Sequence, residues 1–351
     1  MSLLPKYFST EKPGTAPAHP KPHGVKTGVL LLNLGTPQSP QAKHVRPFLA
    51  EFLSDRRVIE MSRAAWYPIL GMILAARPKR SGKLYQNIWT EAGSPLLLQS
   101  QEVATKLEAA LNADLEDESG RIPVRAAMTY GQPSVKKVID ELKAEGVEKL
   151  IVLPLYPQYA AASSGAALDQ VWRYLLRSRY PLAVHSVHHY ETFEPYLDAL
   201  EQQIHDYWQE HGRSQKLLIS FHGIPCAQDE AGDPYRGHCE ATFEALKTRL
   251  VKNHQANPDD VLMCYQSKFG PAPWLTPSTQ DFFASLPAEG VKSIDVICPG
   301  FLTECLETLE EIQITGTHQF QSAGGEVLHY IPALGANETW VKHGLAPLVL
   351  G

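Results

Sequence analysis

Lys216-Leu217-Leu218-Ile219-Ser220-Phe221-His222-Gly223-Ile224-Pro225 is an almost continuous apolar run that breaks off at a histidine, a glycine and a proline. Apolar character without alternation marks a strand covered on both faces, the habit of parallel sheets flanked by helices. Similar runs stand at 27–34, 124–130, 148–155, 182–187, 261–266 and 292–298. Helical patterns lie near 40–53, 95–112, 134–145, 166–178, 192–210, 238–253, 278–286, 303–314 and 336–349, with Pro133-Ser134 and Asn337 as start signals. The alternation predicts an α/β chain with parallel sheets and helices on both faces. Its 351 residues suggest two domains. No repeat in residue identity is visible, yet two similar α/β units of about 130 to 180 residues would fit.

Ligands of such folds bind beyond the carboxyl ends of the strands, and the uncommon residues cluster there. Strand 27–34 runs into Gly35-Thr36-Pro37, and strand 148–155 into Tyr156-Pro157-Gln158-Tyr159. Strand 216–221 runs into His222, and strand 261–266 into Ser267-Lys268-Phe269-Gly270. Strand 292–298 runs into Pro299-Gly300-Phe301-Leu302-Thr303-Glu304-Cys305-Leu306-Glu307-Thr308-Leu309-Glu310-Glu311, which opens a helix. On an α-helix Glu304, Glu307, Thr308 and Glu311 fall at i, i+3, i+4 and i+7 and share one face. Acids near a helix N-terminus are mildly favourable, ~0.3–1 kcal/mol each. That explains one or two of them, not a stripe. Clustered carboxylates repel, and so welcome protons or hard cations.

His222 stands where Gly223 and Pro225 force a sharp exit. It suits a general base, histidine being the side chain whose ordinary titration lies near neutrality. His185, His188 and His189 lie on or just after a strand, with His188 and His189 on opposite faces, so a three-histidine metal cluster is not expected there. Trp274 and the pair Tyr156 and Tyr159 could floor a flat aromatic ligand, though aromatic residues at strand ends are also ordinary core.

Composition narrows the class. The chain is 44% hydrophobic and 20% charged, with a net charge of -6, which gives no basic field for nucleic acid. Five cysteines without a CxxC pair argue against a disulfide framework and for a reducing compartment. Residues 1–25 are proline-rich with scattered lysines and read as a disordered arm, neither signal nor transit peptide. No stretch reaches the roughly 20 apolar residues needed to span a bilayer. The nearest, Ala64 to Ala76, is interrupted by Pro68 and Gly71 and flanked by Arg63 and Arg77-Pro78-Lys79-Arg80. It suits either a buried helix or an apolar lip whose cations face anionic groups.

Several blocks resemble the ferrochelatase family, in family order from about residue 27 onward. They are Leu32-Asn33-Leu34-Gly35-Thr36-Pro37, Phe52-Leu53-Ser54-Asp55-Arg56-Arg57-Val58-Ile59 and Leu153-Pro154-Leu155-Tyr156-Pro157-Gln158-Tyr159. With them go the 220–225 block, Gly232-Asp233-Pro234-Tyr235, Gln266-Ser267-Lys268-Phe269-Gly270 with Trp274-Leu275, the 299–311 block and Tyr330-Ile331-Pro332. The resemblance implies two Rossmann-like domains around a porphyrin cleft, 26–205 plus 331–351 and 206–330, with the C-terminal helix returning to the first. It implies insertion of Fe(II), as substrate, into protoporphyrin IX, the last step of haem synthesis. His222 matches the active-site histidine, Glu307 the essential glutamate, and Glu311 a further acid of the metal or proton path, so that His222 and Glu307 meet the metal. Leu34, Arg56, Tyr156 and Trp274 match the porphyrin cleft, and 64–76 its membrane-facing lip.

A cytoplasmic protein, peripheral at the inner face of the membrane, is therefore expected. Where coproporphyrin-using relatives commonly place a tyrosine, this chain has Leu34, which implies protoporphyrin IX. With no cysteine after Cys305, no iron–sulfur cluster is expected. The chain departs from the family pattern at Ala160-Ala161-Ala162, Gln228, Lys268, Ser278-Thr279-Gln280 and Glu304. A chelatase for coproporphyrin III or sirohydrochlorin, or a non-catalytic tetrapyrrole or metal carrier, is the alternative.

Overall fold

The computed structural model describes residues 25–115 and 120–351, so the arm expected over 1–25 lies, Val25 apart, outside the described residues. The first half holds β1 (Thr27–Thr36), α1 (Ala42–Leu53), α2 (Arg63–Ile88), α3 (Pro95–Leu111), β2 (Val124–Gly131), α4 (Val135–Ala144), β3 (Lys149–Pro154), α5 (Ala166–Leu176) and β4 (Ala183–Ser186). α6 (Glu194–His211) leads to β5 (Lys216–His222), α7 (Cys226–Glu230), α8 (Tyr235–His254), β6 (Val261–Gln266), α9 (Thr279–Ser285), β7 (Ser293–Ile297) and β8 (Val327–Ile331).

The strands form two four-stranded parallel sheets of the same order, β2-β1-β3-β4 and β6-β5-β7-β8. The α/β class holds, with helices flanking each sheet. Central strands are buried along nearly their whole length: Val29 to Leu32 and Leu218 to Phe221 are closed to solvent. That two-sided burial is why their sequences do not alternate. One apolar cluster runs from Val29, Leu31 and Ile151 of the first sheet through Tyr196 of α6 and Leu246 of α8 to Leu217 and Ile219 of the second. The two lobes thus share a core. The C-terminal segment returns to the first lobe, where Lys106 donates to the Ala336 carbonyl at 2.9 Å and Trp340 packs on Tyr196.

Helix starts follow the sequence signals. Ser134 Oγ accepts from Lys137 N, and Asn337 Oδ1 from Trp340 N. Gly35, at the exit of β1, has φ +106°, and a Cβ there would sit 1.9 Å from the Tyr130 carbonyl oxygen.

Two expectations change. β8 is absent from the sequence reading; it is a five-residue edge strand whose pattern mixes buried and exposed positions. The apolar stretch 64–76 is not interrupted but belongs to the single 26-residue helix α2, which carries Pro68 and Pro78 within it. Trp66 and Leu70 pack inward with Val45, Phe48 and Leu53, while Tyr67 and Met72 are 55% and 67% exposed. The stretch is therefore part core and part exposed apolar face. Among the described residues no helix is long and apolar enough to cross a membrane.

Candidate active site

In a sheet of order 2-1-3-4 the crossovers leave the first strand in opposite directions, and a crevice opens between the first and third strands at their carboxyl ends. In the second lobe those strands are β5 and β7. His222 ends β5, and the segment after β7 leads into the acidic helix, so the two sequence blocks meet at this switch point.

His222 Nδ1 lies 2.6 Å from the Gly223 carbonyl oxygen. A carbonyl only accepts, so Nδ1 carries the proton and a neutral ring keeps its lone pair on Nε2. Trp274 and Phe301 flank the ring at 6.5 and 6.4 Å between centroids. A Cβ on Gly223 would stand 3.0 Å from the Gln266 carbonyl and 3.2 Å from the Trp274 ring, so the exit after the histidine is tightly packed.

The acidic helix spans Leu306–Gly316 and is wound with i→i+5 hydrogen bonds, a π-helix. This corrects the expected carboxylate stripe. The wider turn brings residues four and five apart onto one side, which keeps Glu307 with Glu311. Glu304 precedes the helix and leaves the group. It is 7% exposed and accepts from Tyr330 OH (2.9 Å), Thr308 OH (2.5 Å) and Ala333 N–H (2.8 Å). Three donors hold the carboxyl group in place as a structural element. Extended Cys305 caps the helix, its N–H donating to Thr308 Oγ1 at 3.0 Å.

Glu311 accepts from Ser267 N–H at 2.7 Å, from the Ser267 hydroxyl and from Gln280 Nε2 at 2.9 Å. Burial pushes its carboxyl up, opposed by the Ser267 donors and the charge of His222 and reinforced by Glu307. Glu307 faces the first lobe. Its charge acts on the phenols of the partly buried Tyr156 and Tyr85, both raised chiefly by desolvation, and on Arg77, lowered chiefly by desolvation. The Arg77 guanidinium lies over the Phe269 ring at 4.6 Å, so α2 reaches across to the loop after β6.

The first lobe supplies Tyr156 after β3 and Leu34 on β1. Leu34 packs beside Phe301 against Leu96, Met128 and Cys305. The Tyr156 hydroxyl and Trp274 Nε1 are buried without a hydrogen-bond partner among the described residues. Buried polar atoms are normally paired, so two orphans beside the switch point are consistent with a ligand surface. Asn33 bridges the lobes by donating to Ser100 (3.1 Å) and Thr303 (2.9 Å).

His222, Glu307, Glu311, Trp274, Tyr156 and Leu34 thus gather at facing strand ends. Arg56 does not join them in the same way: it is exposed, while Arg57 makes a bidentate pair with Asp169 at 2.8 and 2.9 Å. The cation near Glu307 is Arg77, which the sequence reading placed only among the flanking charges of the lip. Tyr85 was missed outright; nothing in residues 77–88 signalled that α2 continues that far.

A second cluster, His189, Glu191 and His238, offers three ligand atoms within 4.8 Å of one another. His189 Nδ1 lies 2.6 Å from Glu191, and His238 Nε2 lies 3.8 Å from it. His238 Nδ1, however, accepts from the Tyr159 backbone N–H at 3.2 Å. Its proton is therefore on Nε2, facing the carboxylate. A metal-ligating histidine needs its other nitrogen as the donor, so His238 has no lone pair free on Nε2 and the three groups are not an open ligand set.

The ferrochelatase family model matches residues 26–350. A ferrochelatase of Neisseria meningitidis is 48% identical over 320 residues, covering 90% of this chain and 91% of that protein. Ferrochelatase 1 of Shewanella oneidensis is 45% identical over 316 residues, with coverage of 90% and 92%. The ferrochelatase of Chromobacterium violaceum is 44% identical over 340 residues, with coverage of 97% and 90%. Among solved structures, SirB from Bacillus subtilis with Fe3+ superposes with a TM-score of 0.51 at 13% identity, covering 92% of this chain and 94% of that one, a likeness of fold alone. With the family model spanning nearly the whole chain and relatives this similar over nine-tenths or more of both chains, the chain belongs to the ferrochelatase family.

Proposed function

We propose that this chain inserts Fe(II) into protoporphyrin IX to form protohaem, the last step of haem synthesis, and that His222 and Glu307 are the reacting pair. The observation that carries the reading is the switch point. There an imidazole with its lone pair on Nε2 stands among Trp274 and Phe301, with Glu307 and Glu311 on the adjoining helix.

A free porphyrin is stiff, nearly flat and carries two pyrrole N–H groups. Metallation needs the ring bent, the protons removed and the iron stripped of water. A cleft that holds the ring bent puts binding energy into that strain. Neutral His222 accepts a pyrrole proton at Nε2, while the Gly223 carbonyl holds Nδ1–H and with it the ring's orientation. Imidazole and carboxylate oxygen both suit Fe(II), so His222 and Glu307 can meet the metal as it loses water. Glu311, held by Ser267 and Gln280, takes protons onward, and its raised pKa supports that role.

Leu34 has no atom that could ligate product iron. The apolar lip suits two vinyl groups better than added propionates, each costly to leave unpaired in an apolar mouth. Lobes at 26–205 plus 331–351 and 206–330 fit this reading, with α6 crossing the boundary and serving both. The exposed Tyr67 and Met72 support peripheral contact with the inner face of the membrane. Cys239, Cys264, Cys298 and Cys305 are buried within the cores of the lobes and the chain has no closely spaced cysteine pair, which supports a chain without an iron–sulfur cluster.

The test is anaerobic mixing of the purified protein with Fe(II) or Zn(II) and either protoporphyrin IX or coproporphyrin III. Turnover beyond one equivalent is expected. Protoporphyrin should be favoured in kcat/KM by at least roughly tenfold, about 1.4 kcal/mol. A single stoichiometric uptake would make the chain a carrier, and a reversed preference would make coproporphyrin its substrate.

A further inference from the structure

We propose that Gln266 is a positioning residue that couples the strand bearing His222 to the helix bearing Glu307 and Glu311. The proposal rests on the reading of those groups as the reacting site. Gln266 ends β6, is 1% exposed and stands opposite His222 in the β5–β6 register. Its backbone carbonyl accepts from Gly223 N–H at 2.8 Å, the peptide directly after the histidine.

Its side-chain amide reaches three elements. Nε2 donates to the Glu307 carbonyl at 2.8 Å and to Glu311 Oε2 at 3.5 Å. Oε1 accepts from Ser220 Oγ at 2.8 Å and from Cys298 Sγ at 3.3 Å. The amide cannot be flipped, because a backbone carbonyl requires the NH2 end. Ser220 lies two residues before His222, on the same face of β5, and Cys298 directly follows β7. One buried amide therefore joins the histidine strand, the end of β7 and the first turn of the acidic helix.

The next residue adds a second observation. Ser267 has φ +66°, a left-handed conformation that a non-glycine residue holds only when its surroundings enforce it. In that conformation both its N–H and its hydroxyl reach Glu311. Gln266 and Ser267 together fix how far the acidic helix stands from His222. A mere core amide would affect stability alone; a positioning residue sets the geometry in which metal is transferred.

The experiment compares full-length wild type with Gln266→Met, which keeps the volume and loses every side-chain hydrogen bond, and with Ser220→Ala, which removes the hydroxyl donor to Oε1 and leaves only Cys298 Sγ there. Zn(II) insertion and porphyrin affinity, by fluorescence titration, are measured on each. Gln266→Met should lower kcat/KM for the metal by ~10–100-fold, as loss of an outer-shell partner does, with porphyrin affinity unchanged. Ser220→Ala should lose less, and the double variant no more than Gln266→Met alone, because the two act through one contact. Wild-type metal insertion in Gln266→Met, a matching fall in porphyrin affinity, or additive losses would overturn the proposal. Should Gln266→Met fail to fold, Ser220→Ala decides: unchanged metal kinetics there refute the coupling. Activity in His222→Ala would sink the reading of the site itself, whereas an inert His222→Ala beside an unaffected Gln266→Met sinks only Gln266.

Discussion

The two lobes carry the same strand order, yet the ends of equivalent strands are chemically opposite. At the switch point of the first lobe stand Leu34 and Tyr156, an aliphatic side chain and a phenol that burial makes still harder to ionise. At the switch point of the second stand His222, Glu307 and Glu311, which can take a proton or meet a cation. The scaffold dictates where a ligand sits, and the side chains at the strand ends dictate what happens to it. In the proposed reading the first lobe holds the macrocycle and the second does the chemistry.

The comparison is most exposed at its equivalent strands. His222→Ala removes the base from the second lobe and should lower metal insertion by ~10²–10⁴-fold, the usual worth of a positioned base, while porphyrin still binds. Tyr156→Phe removes a hydroxyl that has no partner among the described residues, and should leave kcat near wild type. Steady-state insertion rates on both variants check the contrast. A severe Tyr156→Phe beside a mild His222→Ala would invert the assignment of lobes.

Glu307→Gln comes next. The amide keeps the shape but loses charge and basicity, and a loss of roughly 10²-fold is expected. Glu311→Gln should lose less, since its carboxylate is already occupied by Ser267 and Gln280. An inert Glu307→Gln with a severe Glu311→Gln would reverse the order of the acids along the path.

A smaller effect separates Glu311 from an ordinary surface acid. Burial raises its carboxyl above the ordinary 4.5, so the folded chain holds that proton more tightly than the unfolded chain. Its contribution to stability is full below the ordinary value and is lost as pH rises through the raised one, about 1.4 kcal/mol for each tenfold gain in proton affinity. Wild-type Tm should therefore fall, relative to Glu311→Gln, as the pH climbs from the ordinary carboxyl range toward neutrality. Parallel melting curves across that range would show that the carboxyl is not raised.

Much of this layout was legible in the chain. Continuous apolar strands and their abrupt polar exits follow from two-sided burial, and that pattern located His222 and the 299–311 block. The π-helix was not legible, because α and π windings share the same composition. The carboxylate stripe was read on a 3.6-residue period, and Glu304 fell out of it once Tyr330 and Ala333 turned out to hold it. β8 was too short and too mixed in burial to stand out. α2 was obscured by Pro68 and Pro78, which signal breaks locally but are tolerated where tertiary packing holds the helix. Arg77 and Tyr85 enter the site only through that unbroken length.

The smallest expected effect concerns a feature without a counterpart in the second lobe, the outward face of α2. Tyr67 and Met72 are exposed on the same helix that buries Trp66 and Leu70. If the outward face seats on a membrane, each side chain gains part of the ~1.5–3 kcal/mol that full burial of a large apolar group provides, so roughly 1 kcal/mol or about fivefold in binding. Tyr67→Ser and Met72→Ser should each weaken sedimentation with anionic vesicles by that factor. Neither should alter kcat on porphyrin in detergent-free solution, since neither touches the switch point. Leu70→Ser is the control on the opposite face. It leaves a buried polar group beside Trp66 and should lower Tm while leaving vesicle binding of the folded fraction unchanged. Equal vesicle binding in all three variants would mean that the exposed apolar face does not meet lipid, and the first lobe's role would end at holding the porphyrin.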